Sequence, residues 1–317
     1  MNTPAGITQI TEPGPSRAAQ LLCDAMRLTI HNALLVGSPA LRLPLPFGVI
    51  DRAARVLPTP HGMTRAGVRL THARAELIRA RGVAERTGRV VLYCHGGAFL
   101  CCGISTHLRL IDKLSEFADS PVFAVDYRML PKHTIKMALD DCHDAYRRLR
   151  ANGYAADQIV IAGDSAGGYL ALALAQRLMS DGETPAALTL LSPLLQLDAN
   201  RPAADGPMLP HKSFAALAAL ITAHDGVLYE PLDHIKPGLP PTLIHVSGCE
   251  ELAYDSHLAA ERLNAAGVPV ELRIWPGQIH VFQIAAPLVP EAIRSLRQIG
   301  GYIRAAVPAA ESEEPAA

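Results

Sequence analysis

Several things are missing from this chain of 317 residues, and each absence removes a class of function. It has no charge excess: 29 Lys and Arg face 30 Asp and Glu, for a net charge of −1. That leaves no general electrostatic reason to bind nucleic acid or an anionic membrane surface. Its six cysteines, at 23, 94, 101, 102, 142 and 249, show no C-x-x-C spacing. In a chain this long they read as reduced, mostly buried thiols rather than a disulfide framework. No apolar run approaches a membrane span. Residues 1–17 carry neither a basic n-region nor an apolar h-region, which predicts a cytoplasmic protein. There is no internal repeat.

What is present is an alternation of apolar strands and amphipathic helices, enough for one large α/β domain. Strand-like segments occur at Gly67–Thr71 and its continuation, read as one strand, and at Arg89–Cys94, Pro121–Asp126, Ile159–Asp164, Ala187–Leu191, Thr242–Val246 and Val268–Trp275. Helical periodicity lies between them, at about 105–117, 136–152, 169–174, 255–266 and 290–306. Continuous apolar strands alternating with helices predict a mostly parallel sheet covered on both faces. Residues 195–238 break the alternation, with a helix at 211–222, and read as an insertion above the sheet. Residues up to about Ser16 read as a loose Pro/Gly-rich arm. A helix is expected from Arg17 to Val36, a proline-interrupted run at 41–47, and a short helix at 51–57. The expected division is a helical segment at 1–55, a catalytic domain at 56–307 and a disordered acidic tail at 308–317.

The stretch that carries chemistry is Gly163-Asp164-Ser165-Ala166-Gly167-Gly168, between a β-branched strand and a helix. A G-x-S-x-G turn in that setting exposes the serine oxygen at a helix start, where the dipole and the Ala166 N–H favour an anion. Serine needs a base to become a nucleophile at neutral pH. Among the histidines that follow, at 211, 224, 234, 245, 257 and 280, His280 lies in the glycine-containing loop after the last strand. His245 sits inside an apolar strand and reads as a core residue, and His257 reads as a solvated helix residue. The orienting acid belongs just past strand 242–247, where Glu250, Glu251 and Asp255 compete. Asp255 is explained by helix capping, and the residues alone do not separate Glu250 from Glu251. His95-Gly96-Gly97-Ala98-Phe99 closes an early strand and can supply backbone N–H donors to an oxyanion.

Taken together, HGGAF at 95–99, DYRMLPKH at 126–133, ALDD at 138–141, GDSAGG at 163–168 and PGQIHVF at 276–282 resemble the bacterial hormone-sensitive-lipase-like esterases, over roughly residues 60–305. The resemblance implies an α/β-hydrolase fold whose helical cap is built from the N-terminal segment and the 195–238 insertion. It implies Ser165 as nucleophile, His280 as base and, through the family's D/E-x-L pattern, Glu250 as acid. Gly96, Gly97 and Ala166 match the oxyanion donors, with Ala98 in place of a usual third glycine. The implied reaction is hydrolysis of short- to medium-chain acyl esters through an acyl-enzyme, with Phe99 and Leu100 beside the substrate and no metal or organic cofactor. Amidase, thioesterase and lactonase reactions use the same groups. A ligand-binding receptor on this fold would lack the histidine found here at 280. The resemblance also implies a homodimer formed through the edge of the last strand, near Trp275. Cys101 and Cys102 read as packing residues, His107 and Asp140-Asp141 as loop and helix anchors, and Cys249 has no assigned role.

Overall fold

The computed structural model describes residues 6–32, 48–197, 206–208, 210–225 and 229–308. The proline-interrupted run at 41–47, residues 198–205, 209 and 226–228 of the 195–238 insertion, and the acidic tail from 309 therefore lie outside the described residues. Among those described, nine strands form one sheet in the order β1-β9-β8-β7-β6-β4-β5-β3-β2. They are β1 (Thr8–Thr11), β2 (Thr64–Arg69), β3 (Arg74–Arg79), β4 (Val90–Cys94), β5 (Val122–Asp126), β6 (Ile159–Asp164), β7 (Ala187–Leu191), β8 (Thr242–Ser247) and β9 (Val270–Trp275). Only the β2–β3 and β3–β5 pairings are antiparallel. The helices are α1 (Arg17–Met26), α2 (Val49–Ala54), α3 (Leu108–Ala118), α4 (Ile135–Ala151), α5 (Ala166–Ser180), α6 (His211–Asp225), α7 (Ala253–Ala265) and α8 (Pro290–Ala306). None of them is long and apolar enough to cross a membrane.

The central strands are apolar throughout because both of their faces are covered. On β4, Val90, Leu92 and Cys94 join one core cluster with α4, α5 and α7. Val91 and Tyr93 point to the opposite face and join a second cluster with α3 and α8. This alternation of side chains across a doubly covered sheet accounts for the unbroken hydrophobic runs.

Two expectations change. The segment from Gly67 onward is two strands: the chain reverses at 70–73, with the Leu70 N–H donating to the Ala73 carbonyl, and returns as β3. The turn is pinned from outside by Asp144, whose carboxylate accepts the Thr71 N–H at 2.7 Å. The N-terminal arm is also structured. Thr8–Thr11 pairs parallel to β9, and Ser16 caps α1 while bonding Glu291 through both its N–H and its hydroxyl. The outer edge of β9 is thus occupied by the chain's own β1, which corrects the expectation of dimerisation through that edge. Trp275 is fully buried.

Candidate active site

Four loops meet at the carboxyl ends of the parallel strands β4, β6, β8 and β9, the place where sheets of this kind bind ligands. The sharpest turn follows β6. Ser165 has φ 51° and ψ −120°, a conformation that costs free energy unless its surroundings impose it. The flanking glycines show why the turn can form. A Cβ on Gly163 would lie 2.2 Å from the Gly167 carbonyl oxygen, and one on Gly167 would lie 2.0 Å from that of Cys94. Only hydrogen fits at either position, so β4, β6 and the start of α5 can close around the serine.

His280, in the loop after β9, places Nε2 2.9 Å from Ser165 Oγ. Its Nδ1 bonds Glu250 Oε2. The other oxygen of Glu250 accepts the Ser247 N–H at 2.8 Å and the Ser192 hydroxyl at 2.6 Å. An anionic Glu250 holds the proton on Nδ1 and leaves Nε2 free to accept from the serine hydroxyl. All three side chains are buried, at 8% exposure or less. The structure thus places Ser165, His280 and Glu250 in one hydrogen-bonded line.

The rival acids go elsewhere. Glu251 is buried beside Glu250. Asp255 is not a helix cap, because α7 begins at Ala253. Its carboxylate accepts the N–H groups of Leu195 and Gln196, at 2.7 and 2.9 Å, and so ties down the chain leaving β7. His245 is a core residue, bonded to Ser295 and to the Trp275 indole. Burial first, and then the charge of Arg273, hold it down at about 3.

Three expectations about the oxyanion loop change. The Gly96 N–H donates to Asp164 Oδ1 at 2.9 Å, so it is not free for an oxyanion. Gly97 and Ala98 have backbone N–H groups with no acceptor among the described residues. Phe99 and Leu100, expected beside the substrate, are 1% and 4% exposed and belong to the core. The Phe99 ring meets Tyr169 edge-on, so both residues support the loop by packing.

Sequence reasoning missed the group beneath the serine. The Asp164 carboxylate is fully buried and accepts from Tyr93 Oη at 2.6 Å, from Gly96 and from His107 Nε2 at 3.2 Å. Burial pushes its pKa up, but the His107 charge and the bonds from His107 and Tyr93 outweigh this and lower it. Burial likewise pulls His107 down, and the Asp164 charge and hydrogen bond overcome it, raising His107 to about 9. The pair is therefore ionic at neutral pH and joins the elbow, the oxyanion loop and the start of α3. His95 is held down to about 4 by burial and by the neighbouring His107 charge. Its ring stacks on Tyr127. A buried carboxylate needs partners, so an acidic residue closing an apolar strand was the available signal. Farther out, Arg128 grips Asp141 at 2.8 Å, which explains the DYR and ALDD segments as a structural clasp.

A serine at a strained strand-to-helix turn, with an acid and then a histidine following in the chain and hydrogen-bonded in line with it, is the arrangement of an α/β-hydrolase. Residues 91–284 match the family model described as alpha/beta hydrolase fold, and the chain belongs to that family. It is 56% identical to the carboxylesterase/phospholipase LipF of Mycobacterium tuberculosis, over 93% of this chain and 84% of that protein. It is 58% identical to the esterase LipU of the same organism, over 88% of this chain and 99% of that one. Among solved structures, a hormone-sensitive lipase from a metagenome library superposes with a TM-score of 0.78 at 31% identity, covering 90% of this chain and 98% of the other.

Proposed function

We propose that Ser165, His280 and Glu250 are the catalytic triad with which this esterase cleaves carboxylic esters through an acyl-enzyme. The observation that carries the reading is the continuous hydrogen-bonded line from the Ser165 hydroxyl through His280 to Glu250. His280 Nε2 takes the serine proton as Oγ attacks the ester carbonyl, and Glu250 stabilises the imidazolium that results. The oxyanion meets the N–H groups of Gly97, Ala98 and Ala166, the last at the positive end of the 15-residue helix α5. His280 then protonates the departing alcohol, and water repeats the sequence on the acyl-serine.

The substrate class in this reading is a small ester with a short to medium acyl chain. A cavity of about 560 Å³ beside Tyr169, on the first turn of α5, is lined by Leu139, Ala173 and Ile221 but also by Lys136, Gln176 and Arg177. Neither Ser165 nor His280 lines it, so it does not measure the acyl site, and the chain-length reading comes from the family resemblance. A cytoplasmic location accords with six unbridged thiols. A homodimer formed through a sheet edge would use β1 or β2, the two outer strands among the described residues, rather than β9. The test is a p-nitrophenyl ester series from acetate to palmitate. Hydrolysis peaking at short or medium chains and abolished in Ser165→Ala supports the reading. Equal hydrolysis by the folded variant overturns it.

A further inference from the structure

Two successive cysteines stand on the loop after β4, and their sulfurs are 3.7 Å apart. Neighbouring side chains on extended backbone point to opposite sides. Here Cys102 has φ 69°, and the left-handed turn brings both thiols to one side. Both are half-buried, so a small reagent can reach them. The Cys101 thiol also contacts the Gly97 carbonyl at 3.4 Å. The Cys102 Cβ lies 3.0 Å from the point where a Gly97 Cβ would sit. Pyramidal arsenic(III) holds two sulfurs a few tenths of an ångström closer than these 3.7 Å, a gap that rotation about the two Cα–Cβ bonds can close. The thiols are thus within reach of one arsenic atom.

We propose that Cys101 and Cys102 form a chelating dithiol that captures thiophilic ions, trivalent arsenic foremost, and that its occupation disables the adjoining oxyanion loop. Arsenic(III) carrying one organic group needs no protein ligand beyond the two sulfurs. With an arsine oxide, two As–S bonds form and the oxygen leaves as water with both thiol protons. Arsenic stays trivalent, and no electron is transferred. The Cys101 thiol is acidified by its hydrogen bond with Cys102, against the opposing effect of burial, whereas Cys102 is pushed up.

The other close pair, Cys94 and Cys142, has its sulfurs 3.5 Å apart, but both residues are fully buried between β4 and α4. Cys23 and Cys249 bond the carbonyls of Gly277 and Gln278 on the far side of the histidine loop. Loss of activity on capture rests on the reading of Gly97 as an oxyanion donor. Capture itself does not.

The experiment treats the reduced full chain with phenylarsine oxide and follows intact mass, the modified peptide and p-nitrophenyl butyrate hydrolysis. One phenylarsenic group per chain is expected on the peptide holding Cys101 and Cys102. Hydrolysis should be lost in step with it, restored by 2,3-dimercaptopropanol and not by an equal excess of a monothiol. Cys102→Ser should hydrolyse the ester normally and need at least 100-fold more reagent for inactivation. Capture at Cys94 and Cys142, or equal sensitivity of Cys102→Ser, overturns the site. Capture at 101 and 102 with hydrolysis intact overturns the effect on the loop. A protein that captures arsenic there but never hydrolyses esters leaves the site standing and overturns the esterase reading instead.

Discussion

Replacing His107 with leucine removes the cation that faces Asp164 and leaves that carboxylate buried with only Tyr93 and Gly96 as donors. Taking away one partner of a buried ion pair costs about 3–5 kcal/mol. The titration of His107 supplies an independent figure. Its rise from 6.5 to about 9 corresponds to about 3 kcal/mol of preference for the charged form in the folded protein. A raised folded-state pKa gives stability that is complete below the unfolded value of 6.5 and is lost as pH climbs through about 9. Urea unfolding of both proteins should therefore show a gap of about 3–5 kcal/mol at pH 6, closing by more than half at pH 10. Groups that titrate in both proteins cancel in that difference. A gap below about 1 kcal/mol at pH 6, or one unchanged at pH 10, would show that the pair is not ionic and would refute the argument.

Two further substitutions test the site and its frame. Glu250→Gln turns an amide towards His280 Nδ1 and forces the proton onto Nε2, where it blocks acceptance from Ser165. Steady-state assays should show kcat falling on the order of 10³–10⁴-fold while the melting temperature changes little. Gly167→Ala drives a methyl to within 2.0 Å of the Cys94 carbonyl oxygen. It should lower both activity and melting temperature, whereas the same change at Gly182, where nothing lies within 4 Å, should leave hydrolysis intact.

The elbow was legible in the sequence because its geometry depends on two positions where only glycine fits, and the chain displays them. The buried strands were legible because coverage on both faces leaves an apolar run. The reversal between β2 and β3 was hidden, because Leu70-Thr71-His72-Ala73 contains no Gly, Pro, Asn or Asp. The turn is held instead by Asp144, which is 73 residues away. β1 was hidden for a related reason: four residues at an exposed edge, three of them polar, carry no alternation of buried and exposed positions. The engagement of Gly96 depends on Asp164, and that of Asp164 on His107, 57 residues earlier. Periodicity reports which face of an element is apolar. It cannot report which distant group a buried carboxylate will meet, so the ion pair beneath the serine stayed out of reach.

Ser165 is the proposed nucleophile and His280 its activating base. The most direct measurement is reaction with a fluorophosphonate, followed by intact mass and peptide mapping alongside p-nitrophenyl butyrate hydrolysis. One adduct per chain, on the peptide holding Ser165, formed in step with loss of hydrolysis and greatly slowed in His280→Ala, is the predicted result. An adduct on another residue, or hydrolysis persisting in fully labelled protein, would contradict the claim.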